Sequence, residues 1–236
     1  MSDDRPTFRL FVAAFADFFT CAVHTVLYER SIYPQSTFLS TRKYNFAVRQ
    51  SRHPKVCEWI HDAVTAVEEE ILNGAVEKVS IVIFDKHDRP MERFVFDVSR
   101  FPDVPSNELD TPIEQMDGGG RKLAVLPVVD MEEQFRAAMS RLTNCSTSLD
   151  PIPGGCIFTI AVDLKETGEA PLGHPQPWIP LGPGSYPLTA EDGKPTNNVF
   201  VSARPLRTVD AGRMKFESWI EETCFKSSDK VVPDRT

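Results

Sequence analysis

Residues 76–98 read VEKVSIVIFDKHDRPMERFVFDV, and the fold turns on this stretch. Val79, Ile81, Val82, Ile83 and Phe84 make a nearly continuous apolar run. Phe94 and Phe96 then alternate with Arg93 and Asp97, and Lys86 to Pro90 is a polar break between the two runs. The pattern predicts an antiparallel hairpin, with its first strand covered on both faces and its second on one.

Upstream, Phe8, Phe11, Val12, Phe15, Phe18, Phe19, Ala22, Val23, Val26 and Leu27 recur at steps of three and four. This predicts a helix that is apolar nearly all round and central in its domain. It should end near Arg30, because Tyr33 precedes Pro34 and is biased away from helix. Its apolar length would suit a membrane span, but Arg9, Asp17 and His24 are costly in lipid. Asp3 and Asp4 likewise argue against a secretory leader. His53-Pro54 opens a second helix, striped by Val56, Trp59, Ile60, Val64, Val67 and Ile71 and stopped at Asn73-Gly74.

Downstream, residues 99–129 hold Pro102, Pro105, Pro112 and the triplet Gly118-Gly119-Gly120, and read as a long loop that could move. A third helix is expected over about 130–143, striped by Met131, Phe135, Ala138, Met139 and Leu142, and a buried strand over 156–162. Between Pro171 and Pro195 stand seven prolines and four glycines, yet Trp178, Ile179, Leu181, Tyr186 and Leu188 are scattered among them. A disordered linker rarely carries so many large apolar groups, so an extended segment packed on the body is expected. A strand at 198–203, a short helix at 210–222 and a frayed tail from 226 complete the reading. Helices segregated on one face of a mostly antiparallel sheet give an α+β class.

The chain has 236 residues, 41% of them hydrophobic and 25% charged, which is enough for a real core. A net charge of −8 argues against a dominant basic groove for nucleic acid. The five cysteines include no C-x-x-C pair and read as free thiols in a reducing compartment. The histidines lack metal spacing, and His24 reads as a core or edge residue. Gly118 to Lys122 fails the phosphate-loop pattern, and Glu68-Glu69-Glu70 reads as a solvated helix face. No catalytic constellation stands out, and neither a metal nor a cofactor is expected.

The segment from Ala22 to Lys43, AVHTVLYERSIYPQSTFLSTRK, resembles the opening of HORMA domains: a helix ending LY-x-R, then YP-x-x-x-F. The hairpin at 76–98, the His53-Pro54 helix start and Pro177-Trp178-Ile179 resemble one branch of that family, the accessory subunits of the translesion DNA polymerase zeta. The resemblance implies a domain over 8–204, with a core to about 164 and a safety belt over about 165–204, and an extension over 205–236. It further implies that the belt wraps a Pro-rich peptide of the polymerase's catalytic subunit, with Tyr33, Trp59 and Trp178 at the contact. Trp59 by its apolar stripe alone would be a core residue. Leu188, Asn198 and Phe200 match a second surface for a translesion scaffold polymerase, although the branch has Gln and Tyr where Asn198 and Phe200 stand. Arg136 matches a residue of HORMA–HORMA self-association and would otherwise be an ordinary solvated arginine. The family further implies a noncatalytic adaptor in the nucleus and cytoplasm, without direct nucleic-acid contact, and an AAA+ ATPase that opens the belt. A checkpoint or meiotic-axis HORMA adaptor and an unrecognised small enzyme are the alternatives.

Overall fold

The computed structural model describes residues 6–113, 115–116, 122–123, 128–166, 168, 178–179, 200–212 and 214–223. Helix α1, Phe8–Glu29, starts where the Thr7 side chain accepts the Leu10 N–H, filling one of the donors a helix start leaves open. Ser31 then takes a positive φ of 54° and the chain leaves the helix. Helix α2, Pro54–Leu72, has proline in its first turn, as expected. Helix α3 spans Val128–Thr143.

The hairpin forms, but its second strand, expected to be covered on one face, is covered on both, since Val95 as well as Phe94 and Phe96 is buried. Strands β3, Val76–Phe84, and β4, Pro90–Asp97, pair antiparallel with Val79 opposite Phe96 and Ile81 opposite Phe94. In the turn, the Asp85 carboxylate accepts the N–H groups of His87 and Arg89 at 2.8 and 3.0 Å. Strands β7, Ile157–Leu164, β8, Phe200–Ala211, and β9, Met214–Thr223, complete an antiparallel sheet in the order β7-β3-β4-β9-β8. Alternate residues, among them Ile81, Phe94, Phe96, Phe216 and Ile220, join the core against the helices. Aromatic rings fill its centre. Phe18 stacks on Phe135 at 4.8 Å, and Phe15 and Phe19 meet Phe216 and Phe96 edge-on at 5.2 Å each. Each such ring stabilises the fold by roughly 2–3 kcal/mol through burial. At the end of α1, Arg30 donates to both oxygens of the wholly buried Glu92, at 2.8 and 2.7 Å, and to the Asp150 carbonyl at 2.6 Å.

The structure corrects three expectations. The short helix expected at 210–222 is strand β9, where Met214, Phe216, Ser218 and Ile220 are buried and the residues between them half-buried. That alternation has period two; Met214, Trp219 and Ile220 alone suggest a helix. Residues 205–223, expected as an extension, carry most of β8 and all of β9, so the sheet runs past that boundary. A hairpin that the sequence reading lacked, β1 Phe38–Lys43 and β2 Phe46–Ser51, follows α1. Its turn puts Tyr44 and Asn45 at φ 52° and 53°, and tyrosine is an unusual residue there. The loop at 99–129 holds two short paired strands, β5 Gln115–Met116 and β6 Lys122–Leu123. Residues 101–113 are fixed rather than loose: Phe101 and Leu109 are buried, and the Arg9 N–H donates to the Leu109 carbonyl at 3.1 Å.

Candidate partner-binding site

The sheet has two outer strands, β7 and β8, and they present different chemistry. Strand β7 reads IFTIAVDL, without lysine, arginine or proline. Its register against β3 is regular from Ile157 to Asp163, and its lone charge, Asp163, is held by Arg93 at 2.6 Å. The far side of β7 pairs with no strand among the described residues. An apolar, unbroken edge is a template for another extended segment. Residues 165–199 connect this edge to the opposite one. Crossing five strands takes about 20 Å. A chain of that length reaches several times farther, at roughly 3.3 Å per residue. It is long enough to pass around a bound segment.

Three rings meet at the start of β7. Trp59 on α2 meets Phe158 edge-on at 5.1 Å, and Tyr33, just after α1, meets the same ring at 6.4 Å. All three are half-buried at the margin of the core. Burial also pushes the Tyr33 phenol above its ordinary pKa. The structure thus joins two of the expected residues through a third, Phe158, that the sequence reading missed. The available signal was the alternation Phe158, Ile160, Val162, which places Phe158 on the inner face but says nothing of the edge. Trp178 packs half-buried against the core, and Ile179 beside it is 81% exposed.

The chain leaving β7 is tied down. The Lys165 N–H donates to the Ala75 carbonyl at 2.8 Å, and the Gly168 N–H donates to the Lys165 carbonyl at 2.8 Å. Lys165 Nζ also pairs with Asp103 at 2.6 Å. A Cβ on Gly168 would lie 2.8 Å from the Ala75 oxygen, so only glycine fits this approach.

Residues 12–195 match the HORMA domain family. The chain belongs to that family. Among its relatives, the DNA polymerase zeta processivity subunit of Schizosaccharomyces pombe is 33% identical over 91% of this chain and 93% of its own. The mitotic spindle assembly checkpoint protein MAD2B of Bos taurus is 30% identical over 90% of each. The fold is similar to C. elegans HTP-1 bound to the HIM-3 closure motif, with a TM-score of 0.62, 12% identity and coverage of 93% and 97%. The resemblance to HORMA accessory subunits of polymerase zeta and the α+β HORMA architecture both stand.

The other expected residues of this HORMA chain lie apart from the ring cluster. Phe200 opens β8 opposite Thr223, half-buried, while Leu188 and Asn198 lie outside the described residues. Arg136 is exposed on α3, where its guanidinium is held by Glu133 one turn back. Two residues earlier on the same helix, Gln134 accepts the Asp210 N–H at 2.6 Å and donates back to the Asp210 carbonyl, closing part of the β8 edge. His24 is buried, accepts the Ser51 N–H at 3.4 Å, and is pushed down by burial to a pKa of about 4. Burial pushes the Cys21 and Cys145 thiols up to about 11 and about 12, so neither is an activated nucleophile. Among the described residues, no group of three His, Cys, Asp or Glu could hold a metal ion.

Proposed function

We propose that this HORMA chain is a noncatalytic adaptor that clasps a Pro-rich segment of the polymerase zeta catalytic subunit. The carrying observation is the β7 edge, which pairs with no further strand among the described residues, is walled by Tyr33, Trp59 and Phe158, and is joined to the opposite edge by residues 165–199. Main-chain bonds along β7 would supply affinity, and proline rings would pack on the aromatic faces. The likeness to a polymerase zeta processivity subunit supports the partner, and the likeness to a closure-motif complex supports the mode. The test is co-expression with that Pro-rich segment and measurement of dissociation across a salt series. Slow release that survives high salt is the expected result; rapid release would sink the clasp.

A second surface around Leu188, Asn198 and Phe200 would receive a translesion scaffold polymerase, in damage tolerance and repair. Phe200→Ala should then lose the scaffold and keep the peptide, and a pull-down that keeps both removes Phe200 from that surface. Arg136 would serve HORMA–HORMA pairing, to be checked by light scattering of Arg136→Ala. A remodelling AAA+ ATPase would open the belt, and residence in the nucleus and cytoplasm follows from the same reading. The likeness to MAD2B and to a closure-motif complex also favours a second reading, a checkpoint or meiotic-axis adaptor with a different peptide. A folded chain that ignores the polymerase segment would point there.

A further inference from the structure

Charge is segregated along the chain beside the ring cluster. Residues 31–57 contain Arg42, Lys43, Arg49, Arg52 and Lys55 and no acid. Residues 58–77 contain six acids and no lysine or arginine. Helix α2 begins near the boundary between these blocks, so its two ends differ in sign.

The helix lies alongside β7. Near its start Trp59 touches Phe158 at the beginning of β7, and just beyond its end the Ala75 carbonyl accepts the Lys165 N–H, just past β7. Steps of four, seven and four place Lys55, Trp59, Ala66 and Glu70 on one face. Glu68 falls on the opposite flank, close enough to α1 to interact with Asp17 and Arg9. The face that carries Trp59 toward β7 is therefore basic at one end and acidic at the other, about 22 Å apart along the helix.

Apart from Glu58, exposed one turn after Lys55, the neighbouring charges leave this pattern standing. Lys43 is paired with Asp17, Arg49 lies over the Tyr28 ring, and Arg42 donates to Asn45. Arg52 and Lys55 are exposed and have no acidic partner within 4 Å among the described residues. At the other end Lys165 is held by Asp103 and Lys78 by Glu77, while Asp163 is held by Arg93. That leaves Asp62, Glu69 and Glu70 without a cation in reach among the described residues.

We infer that the segment bound along β7 is charge-polarised: acidic residues lie beside Arg52 and Lys55, an apolar stretch crosses Phe158 and Trp59, and basic residues lie beside Glu69 and Glu70. The inference rests on the peptide-clasping reading and adds the partner's charge order to it. Opposite charges across a partly exposed groove select partner and register more than they add affinity.

The test pans a phage-displayed library of random 16-residue peptides on the full chain and on Arg52→Glu/Lys55→Glu. Wild type should enrich peptides with acids in one terminal third and bases in the other, and the double variant should erase or invert that order. A selected peptide should bind the double variant about fivefold more weakly, with the gap closing at about 0.5 M salt. Enrichment without charge order, or an order unchanged in the double variant, overturns the inference and leaves the clasp standing. No enrichment at all, or the same pool from a folded Trp59→Ala chain, overturns the clasp and the inference with it. Displacement of the peptide by single-stranded DNA from wild type but not from the double variant would reassign the two cations to nucleic acid and also overturn it.

Discussion

The two edges of the sheet are made from opposite materials. On β8, Arg204 and Arg207 are exposed, Pro205 lacks an N–H, and the register slips beside both Phe200 and Pro205. Gln134 occupies both main-chain groups of Asp210 at its far end. These are the devices by which sheets discourage a further strand. Strand β7 has no arginine, lysine or proline, and its register is regular from Ile157 to Asp163, with Ile157 55% exposed. One edge is finished and the other has no further strand among the described residues, and on the proposed reading the difference separates a surface that closes the fold from one that receives a partner.

The largest expected effect breaks the closed edge. Phe216 on β9 meets Phe15, Phe18, Phe96 and Phe135 and is all but fully buried. Phe216→Ala should cost about 3–5 kcal/mol in urea unfolding. Hydrogen exchange should show β8 and β9 amides losing protection before those of β3. Equal loss across the whole sheet would mean that the β8–β9 hairpin is not a separable unit.

Next comes the open edge. Trp59→Ala or Phe158→Ala should weaken peptide capture by about 2–4 kcal/mol if the ring cluster anchors the partner. Calorimetric titration of the folded variants measures this, and unchanged affinity in both would remove the cluster from the site. A smaller effect is expected at the root of the segment that follows β7, the belt of the proposed reading. Gly168→Ala presses a methyl group on the Ala75 oxygen and should destabilise the local turn by about 1–3 kcal/mol. Peptide release should accelerate with little change in the melting of the core; an unaltered off-rate would show that this anchor does not restrain the belt. The smallest effect sharpens the contrast itself. Gln134→Ala strips the cap from Asp210, at about 1 kcal/mol. Light scattering should detect new self-association through β8, and a monodisperse variant would mean that Pro205 and the charges suffice.

Much of the fold was legible because its signals are local. The α1 stripe, the His53-Pro54 start and the 76–98 hairpin each express one period of apolar residues. The β1–β2 hairpin was not legible, because its turn rests on a tyrosine at positive φ. Strand β9 was misread because Trp219 sits beside Ile220 and suggests a three-to-four spacing, while the true alternation runs through the polar Ser218. At the site, Tyr33 and Trp59 stood out through family resemblance. Phe158 did not, since a phenylalanine in a buried-looking strand carries no mark of being at an edge.

Apart from β1, β2 and β9, the amino-acid pattern alone settles which segments are helical or extended, which faces are apolar, and where charge changes sign along the chain. Those follow from near neighbours and from the periods of helix and strand. Long-range pairing made β7 an outer strand among the described residues, set Phe158 between Tyr33 and Trp59, and laid α2 with its charge gradient beside that strand. Strand order and edge position depend on pairings between residues far apart in the chain, and no local pattern encodes them.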